Sequence, residues 1–223
     1  MEKLLSTFKI TVPEKIFIKD PESSTLGKKI VSHGIDLIDD IGFEAFTFKK
    51  LGNKIGSNES SIYRYFESKH KFLLYLSSWY WAWIEYQLVF ETHNVQDKED
   101  KLMRAITIVT RSIKEDTNYS HINEVLLSKI IINENSKSFL TKEVDQENKE
   151  GYFQVYKRLT HRLRDIINDL KPSYLHASSL ASTIIDGSLH QHFLKDHFAS
   201  MTNCDNSNTP TDFFINLAIK TLK

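Results

Sequence analysis

Between Thr47 and Lys69 the chain lays down three helix starts in quick succession, and that spacing constrains its fold more than any other feature. Thr47 can cap a short helix over 48–55 that Gly56 ends, Asn58 can cap another over 59–66, and Ser68 can cap a long one. Each of these side chains offers an oxygen to an amide that a helix start leaves unpaired. Two short helices separated by Gly56, Ser57 and Asn58 have helix-turn-helix spacing. Leu51, Ile55, Ile62 and Phe66 supply the apolar contacts that lock the pair. Gly52, with no side chain, lets the second helix cross closely over the first.

The outer side of such a wedge presents Ser60, Ser61, Tyr63 and Arg64, where an exposed recognition helix meets base edges in a major groove. Thr47, Tyr65 and Lys69, with the amides that begin the neighbouring helices, suit phosphates on either side. Charge distribution agrees with this use. The net charge of the 223 residues is zero, yet Lys49, Lys50, Lys54, Arg64, Lys69 and Lys71 face only Glu59 and Glu67 in this stretch. Glu59 is the discordant residue, because an acid beside phosphate weakens binding unless it reads a cytosine amino group. Thr47, Lys49, Asn58, Glu59, Ser60, Ser61, Tyr63, Arg64, Tyr65 and Lys69 are therefore the expected DNA contacts.

The rest of the chain reads as helix. Leu26, Ile30, Gly34, Leu37, Ile38 and Ile41 share one face of a helix over 25–41 that Ser23, Ser24 or Thr25 can cap and Gly42 stops. Further helices are expected over 98–115, 121–134, 137–170 with a break near its start, 173–200 and 210–222. Residues 1–24 alternate apolar and polar around Pro13, which fits a small β-hairpin or an extended arm; Lys3, Lys9, Lys15 and Lys19 would let an arm track DNA, the alternative being an arm packed on the body or disordered. The expected organisation is an all-α chain: an N-terminal arm or hairpin over 1–24, a three-helix DNA-binding domain over 25–70, and a larger helical domain over 71–223.

The string from Ile41 to Lys69 resembles the DNA-binding domain of the TetR family. The matching parts are Gly42-Phe43, the cap Thr47, the turn Gly56, and Ile62-Tyr63-Arg64-Tyr65-Phe66-Glu67-Ser68-Lys69. The resemblance covers about residues 25–75. It implies a transcriptional regulator, a repressor that binds a palindromic double-stranded operator as a homodimer, with a ligand in the C-terminal domain shifting the spacing of the two reading heads. The alternative is a helical protein-interaction module of the same fold that has lost sequence-specific DNA binding.

Other candidates carry less. Trp79, Trp83, Tyr86 and Phe90 fall at helical spacing on helix four; such a stripe is core or the wall of a pocket for an apolar or aromatic ligand, with Tyr119 and His121 as polar additions. Asp186, His190, His192, Asp196 and His197 include two pairs at i,i+4, but the pairs point in different directions, so no metal is expected. Cys204, the one cysteine, has no base near it in sequence, so neither a disulfide framework nor a nucleophile is expected; the chain is read as no enzyme and as needing no cofactor. The stretch 72–90 is long enough to span a bilayer, yet its serines, Glu85 and Gln87 suit a buried helix better. With no signal-peptide pattern, a cytoplasmic location is expected.

Overall fold

The computed structural model describes residues 10–113 and 121–223. Among the described residues it holds ten α-helices and no strand: α1 (Thr25–Ala45), α2 (Phe48–Ile55), α3 (Glu59–Tyr63), α4 (Lys69–Thr92), α5 (Lys98–Thr110), α6 (Glu124–Phe139), α7 (Val144–Glu150), α8 (Gln154–Leu170), α9 (Ala177–His197) and α10 (Pro210–Leu222). Three 3-10 turns accompany them, Glu14–Ile16, Pro21–Ser23 and Ala199–Met201. Among the described residues, packing groups 10–80 with 113 and 121–154, and 81–112 with 155–223. α6 and α7 fall in the first of these groups, with the N-terminal helices.

In the first unit, α1 is capped by the Ser24 hydroxyl, which accepts from the Gly27 amide at 3.0 Å. Gly42, at φ +76°, breaks the helical path where the sequence places the stop, and one more turn runs on to Ala45. The core beneath is aromatic: Phe72 stacks on Phe46 at 5.6 Å and meets the edge of Phe66 at 5.0 Å. Gly34 makes room for that ring, since a Cβ there would lie 2.4 Å from Phe72 Cζ. α1 also packs on α6, where Lys137 of α6 bridges Glu44 and Glu134, each at 2.7 Å.

Residues 10–24 form no hairpin. Pro13 and Pro21 interrupt any ladder, and the apolar positions dock instead: Val12 and Ile16 are buried, Phe17 meets Tyr75 edge-on at 6.1 Å, and the Ile18 amide donates to the Tyr65 carbonyl at 2.8 Å. Lys3 and Lys9 lie outside the described residues.

In the second unit, α9 packs on α5 and α10. His192 Nε2 lies 2.8 Å from the Thr110 carbonyl, and Ser188 donates to the Val109 carbonyl at 3.3 Å. Thr209 and Asp212 close a capping box at the start of α10. Glu85 of α4, almost wholly buried, accepts from Arg158 and Arg162 of α8 at 2.6 to 2.8 Å. Burial pushes its carboxyl up, but the two guanidinium groups outweigh that and hold it below the usual range.

Several element boundaries differ from the sequence expectation. α6 starts at Glu124 and continues through 135–136 to Phe139, α3 ends at Tyr63, and the break expected near the start of a helix over 137–170 falls between α6 and α7 and again, before α8, at Gly151, whose φ of +89° only glycine takes readily. Among the described residues no helix is long and apolar enough to cross a membrane.

Candidate nucleic-acid interface

The helix-turn-helix is built from its caps outward. Thr47 Oγ1 accepts from the Lys50 amide at 3.2 Å and Asn58 Oδ1 from the Ser61 amide at 2.9 Å. Gly56 turns the chain at φ +67°, and the Ser57 amide donates back to the Gly52 carbonyl at 2.9 Å. A Cβ on Gly52 would meet the Ser57 carbonyl oxygen at 2.7 Å, so the close crossing expected of Gly52 is real, with the turn's own backbone as the neighbour. Ser68 Oγ starts α4 by accepting from the Lys71 amide at 3.2 Å.

The inner face is buried at Leu51, Ile62 and Phe66, which expose nothing, while Ile55 is half-buried; the Tyr63 ring rests edge-on against Phe48 at 5.0 Å. The outer face exposes Ser60, Tyr63 and Arg64, with Glu59 and Ser61 half-buried beside them. Thr47, Lys49, Lys50, Lys54 and Asn58 are exposed around this edge. Lys50 donates to the Ala45 carbonyl at 2.9 Å, which leaves Lys49 and Lys54 as the cations of α2 whose side chains extend from an exposed face.

Two expected phosphate contacts are placed otherwise. Tyr65, in the turn that follows α3, faces inward with Ile62 and Phe66; it is 3% exposed and its hydroxyl is hydrogen-bonded to Ser24 Oγ at 2.8 Å. Lys69 reaches back across α1, where its Nζ donates to the carbonyls of Phe43 and Glu44, each at 3.2 Å, and lies over the Phe43 ring. Cations gather at helix C-termini because the last carbonyls are unpaired there. Ser24 and Phe43 are thus supports of the reading edge that the sequence did not single out for it; the cap position of Ser24 was the available signal.

The aromatic stripe does not form one surface. Trp79 and Trp83 are buried, Tyr86 is half-buried and stacks on Phe90 at 6.3 Å, and Phe90 is 65% exposed. His121 pairs with Glu22, Nε2 to Oε1 at 3.0 Å, and Tyr119 lies outside the described residues. A recess of about 110 Å³ lined by Ile38, Asp39, Gly42, Lys129, Ile130, Asn133 and Glu134 is smaller than the roughly 300 Å³ at which ligand pockets begin. Of the His and Asp cluster, His192 is held by the Thr110 carbonyl, and Asp186 lies against Tyr156, where burial pushes its carboxyl up. Among the described residues no group of three or more His, Cys, Asp or Glu side chains is placed to hold a metal ion. Cys204 is buried, its Sγ 3.7 Å from Gln191 Oε1.

Residues 30–76 match the family model described as bacterial regulatory proteins, tetR family. Comparison with curated proteins found no match. Three solved structures share the fold: the superantigen PfiT (TM-score 0.60, 17% identity, over 92% of this chain and 99% of that one); AibR in complex with isovaleryl coenzyme A and operator DNA (0.56, 14%, 85% and 97%); and PfmR, a TetR family transcriptional regulator from Thermus thermophilus (0.52, 14%, 86% and 96%).

Proposed function

From the match of residues 30–76 to the tetR family of bacterial regulatory proteins, we propose that the chain is a ligand-responsive repressor that binds a palindromic operator as a homodimer. The observation that carries this is the wedge: a buried Leu51, Ile62 and Phe66 behind an exposed edge of Ser60, Tyr63 and Arg64, flanked by Lys49 and Lys54. Base contacts come from α3, and phosphates are met by Thr47, Lys49 and the amides that begin α2 and α4. The copies pair through α9 and α10, around which Phe198, Met201 and Phe213 lie exposed. The ligand is a small apolar or acyl-bearing compound. Support for it comes from AibR, a fold neighbour crystallised with isovaleryl coenzyme A and operator DNA. An inducer works only if it binds the non-DNA-binding spacing better than the binding one.

The test is a salt-titrated binding assay on duplex DNA from immediately upstream of the protein's own coding region. Tight, sequence-selective binding that weakens steeply with salt is expected. Weak, unselective binding there and to a random duplex pool would overturn the reading.

A second reading, a helical interaction module of the same fold, is favoured by one neighbour, the superantigen PfiT. Tyr63→Ala and Lys49→Ala separate the two: the repressor loses operator affinity with its oligomeric state intact, whereas an interaction module keeps its partner.

A further inference from the structure

Residues 12–24 form a strap fastened across the reading head. Val12 and Ile16 are buried, Phe17 meets the edge of Tyr75, and Pro21 crosses α1 at Gly27, where its backbone leaves no room for a Cβ. The Ile18 amide donates to the Tyr65 carbonyl at 2.8 Å, and Ser24, at the end of the strap, shares a hydrogen bond with the Tyr65 hydroxyl. Tyr65 directly follows Arg64, so the strap is tied to the turn that closes α3.

Most charges on the strap already have partners. Asp20 Oδ1 accepts from the Glu22 amide at 2.9 Å, and the Glu22 carboxylate meets His121 at 3.0 Å. Lys15 lies toward Glu150 of α7: hydrogen bonds from Tyr152 and Gln146 hold that carboxyl below its usual range, and the charges of Lys71 and Lys15 add to them. Lys19 differs. It is exposed, enters no ion pair among the described residues, and holds its Nζ 5.2 Å from the centre of the Tyr65 ring.

Resting on the DNA-binding reading, we propose that the strap makes Lys19 a fixed phosphate contact beside the C-terminal end of α3. Phosphates flank a reading helix, and contacts to them set its register. Around the α2 edge, Lys49 and Lys54 extend from an exposed face. At the other end of α3 the two residues that the sequence offers are withdrawn, since Tyr65 is buried and Lys69 is held by the carbonyls of Phe43 and Glu44. Lys71, two residues on, stands over the Tyr152 ring at 3.6 Å. Lys19 supplies positive charge where those residues do not reach outward. Because the strap is already packed, its lysine meets a phosphate without the ordering cost of a loose arm. The contact is to the DNA backbone, so it adds affinity and register but no base preference.

The experiment is a salt titration by fluorescence anisotropy. The full-length protein is titrated on a labelled random-sequence duplex of about 30 base pairs and on the duplex from upstream of its coding region. Lys19→Gln should reduce the slope of log K against log salt by about 0.9 per protomer, and with it affinity by about fivefold per protomer at roughly 0.15 M salt. Lys19→Arg keeps the charge and should restore both, while Lys15→Gln, on the same strap, should leave both unchanged. Ile18→Pro tests the fastening: it removes the amide bonded to Tyr65, and Phe17 already has the extended backbone that suits a residue before proline. In that background Lys19→Gln should change affinity by less than about twofold. A wild-type slope in Lys19→Gln, an equal fall in Lys15→Gln, or the full fivefold loss in the Ile18→Pro background would overturn the proposal. The exposed lysine variants decide the matter even where Ile18→Pro does not fold. Wild type that binds neither duplex is a different result: it overturns the DNA-binding reading itself, and the Lys19 contact with it.

Discussion

Replacing Gly52 by alanine sets a helix-propensity gain against a steric cost, and the geometry decides which wins. A Cβ at Gly52 would lie 2.7 Å from the Ser57 carbonyl oxygen, 3.3 Å from the Glu59 nitrogen and 3.4 Å from the Asn58 carbonyl carbon. All three are backbone atoms of the turn between α2 and α3, so no side chain can swing aside. Overpacking of this kind costs about 1–3 kcal/mol, and a contact under 3 Å with backbone belongs at the upper end. Alanine recovers about 1 kcal/mol over glycine inside a helix. The net expectation is a destabilisation of about 2 kcal/mol, read as a lower urea midpoint with an unchanged slope. Affinity for operator DNA should fall further than stability does, because the element displaced is α3 itself. Gly56→Ala is the control: nothing lies within 4 Å of its Cβ, and the cost, about 1 kcal/mol, comes from φ +67° alone. Asparagine tolerates that conformation, so Gly56→Asn should recover most of the loss, while no side chain recovers it at Gly52. A Gly52→Ala protein as stable as wild type with full DNA affinity would refute the close-crossing argument.

Tyr65→Phe should lower stability by about 1 kcal/mol through loss of the Ser24 hydrogen bond and leave DNA affinity within about twofold; a larger affinity loss at unchanged stability would return Tyr65 to the phosphates. Lys49→Gln should reduce the slope of log K against log salt by about 1, without changing base preference, in a fluorescence-anisotropy titration. His192 is buried against the Thr110 carbonyl, and burial holds its imidazole below the usual value of 6.5. The unfolded chain therefore binds the proton more readily, so stability is complete above 6.5 and declines as pH falls below it; His192→Gln should flatten that part of the stability–pH curve. Glu85 has the carboxylate version of the same linkage: its depressed pKa contributes stability above about 4.5 that is lost on further acidification. Both of its arginine partners are about half exposed, so Glu85→Gln should cost only about 1 kcal/mol in chemical denaturation at neutral pH.

The elements easiest to read in the sequence are those whose causes are local. Thr47, Asn58 and Gly56 act on amides within a turn of themselves, and α2 runs from Phe48 to Ile55 as their spacing predicts. Boundaries failed where the cause is distant or weak. α6 runs past 135–136, the gap between two expected helices, to Phe139; Asn135 in that gap is buried, as is Ser138, whose hydroxyl pairs with Ser77 at 2.9 Å. No local signal announces such a partner, since it comes from a different helix. Over residues 10–24 the hairpin alternative failed, and the packed arm held, for a related reason. Alternation at Ile16 and Ile18 suits a strand, but a strand needs a ladder, and this segment docks on the rings and backbone of the reading head instead.

The site shows the same division between local and distant causes, with one instructive exception. Lys69 could not be placed from sequence, because the carbonyls it holds, those of Phe43 and Glu44, come into reach only once α1 has been laid across the start of α4. A lysine at the start of a DNA-proximal helix reads as a phosphate contact until that carbonyl pair is known. Tyr65 was legible. Ile62, Tyr65 and Phe66 stand at i, i+3 and i+4, the spacing of a single buried face, and Ile62 and Phe66 already belong to the core on sequence grounds. The same periodicity that buries Ile62 and Phe66 requires Tyr65 to join them, with its hydroxyl needing a buried partner, which Ser24 supplies. What distinguishes Tyr63, 46% exposed, from Tyr65, in the turn after α3, is therefore place in that i, i+3, i+4 spacing and not residue type. A base-reading role assigned by residue type alone confuses the two, whereas one assigned by register leaves Glu59, Ser60, Ser61, Tyr63 and Arg64 as the edge that can meet DNA.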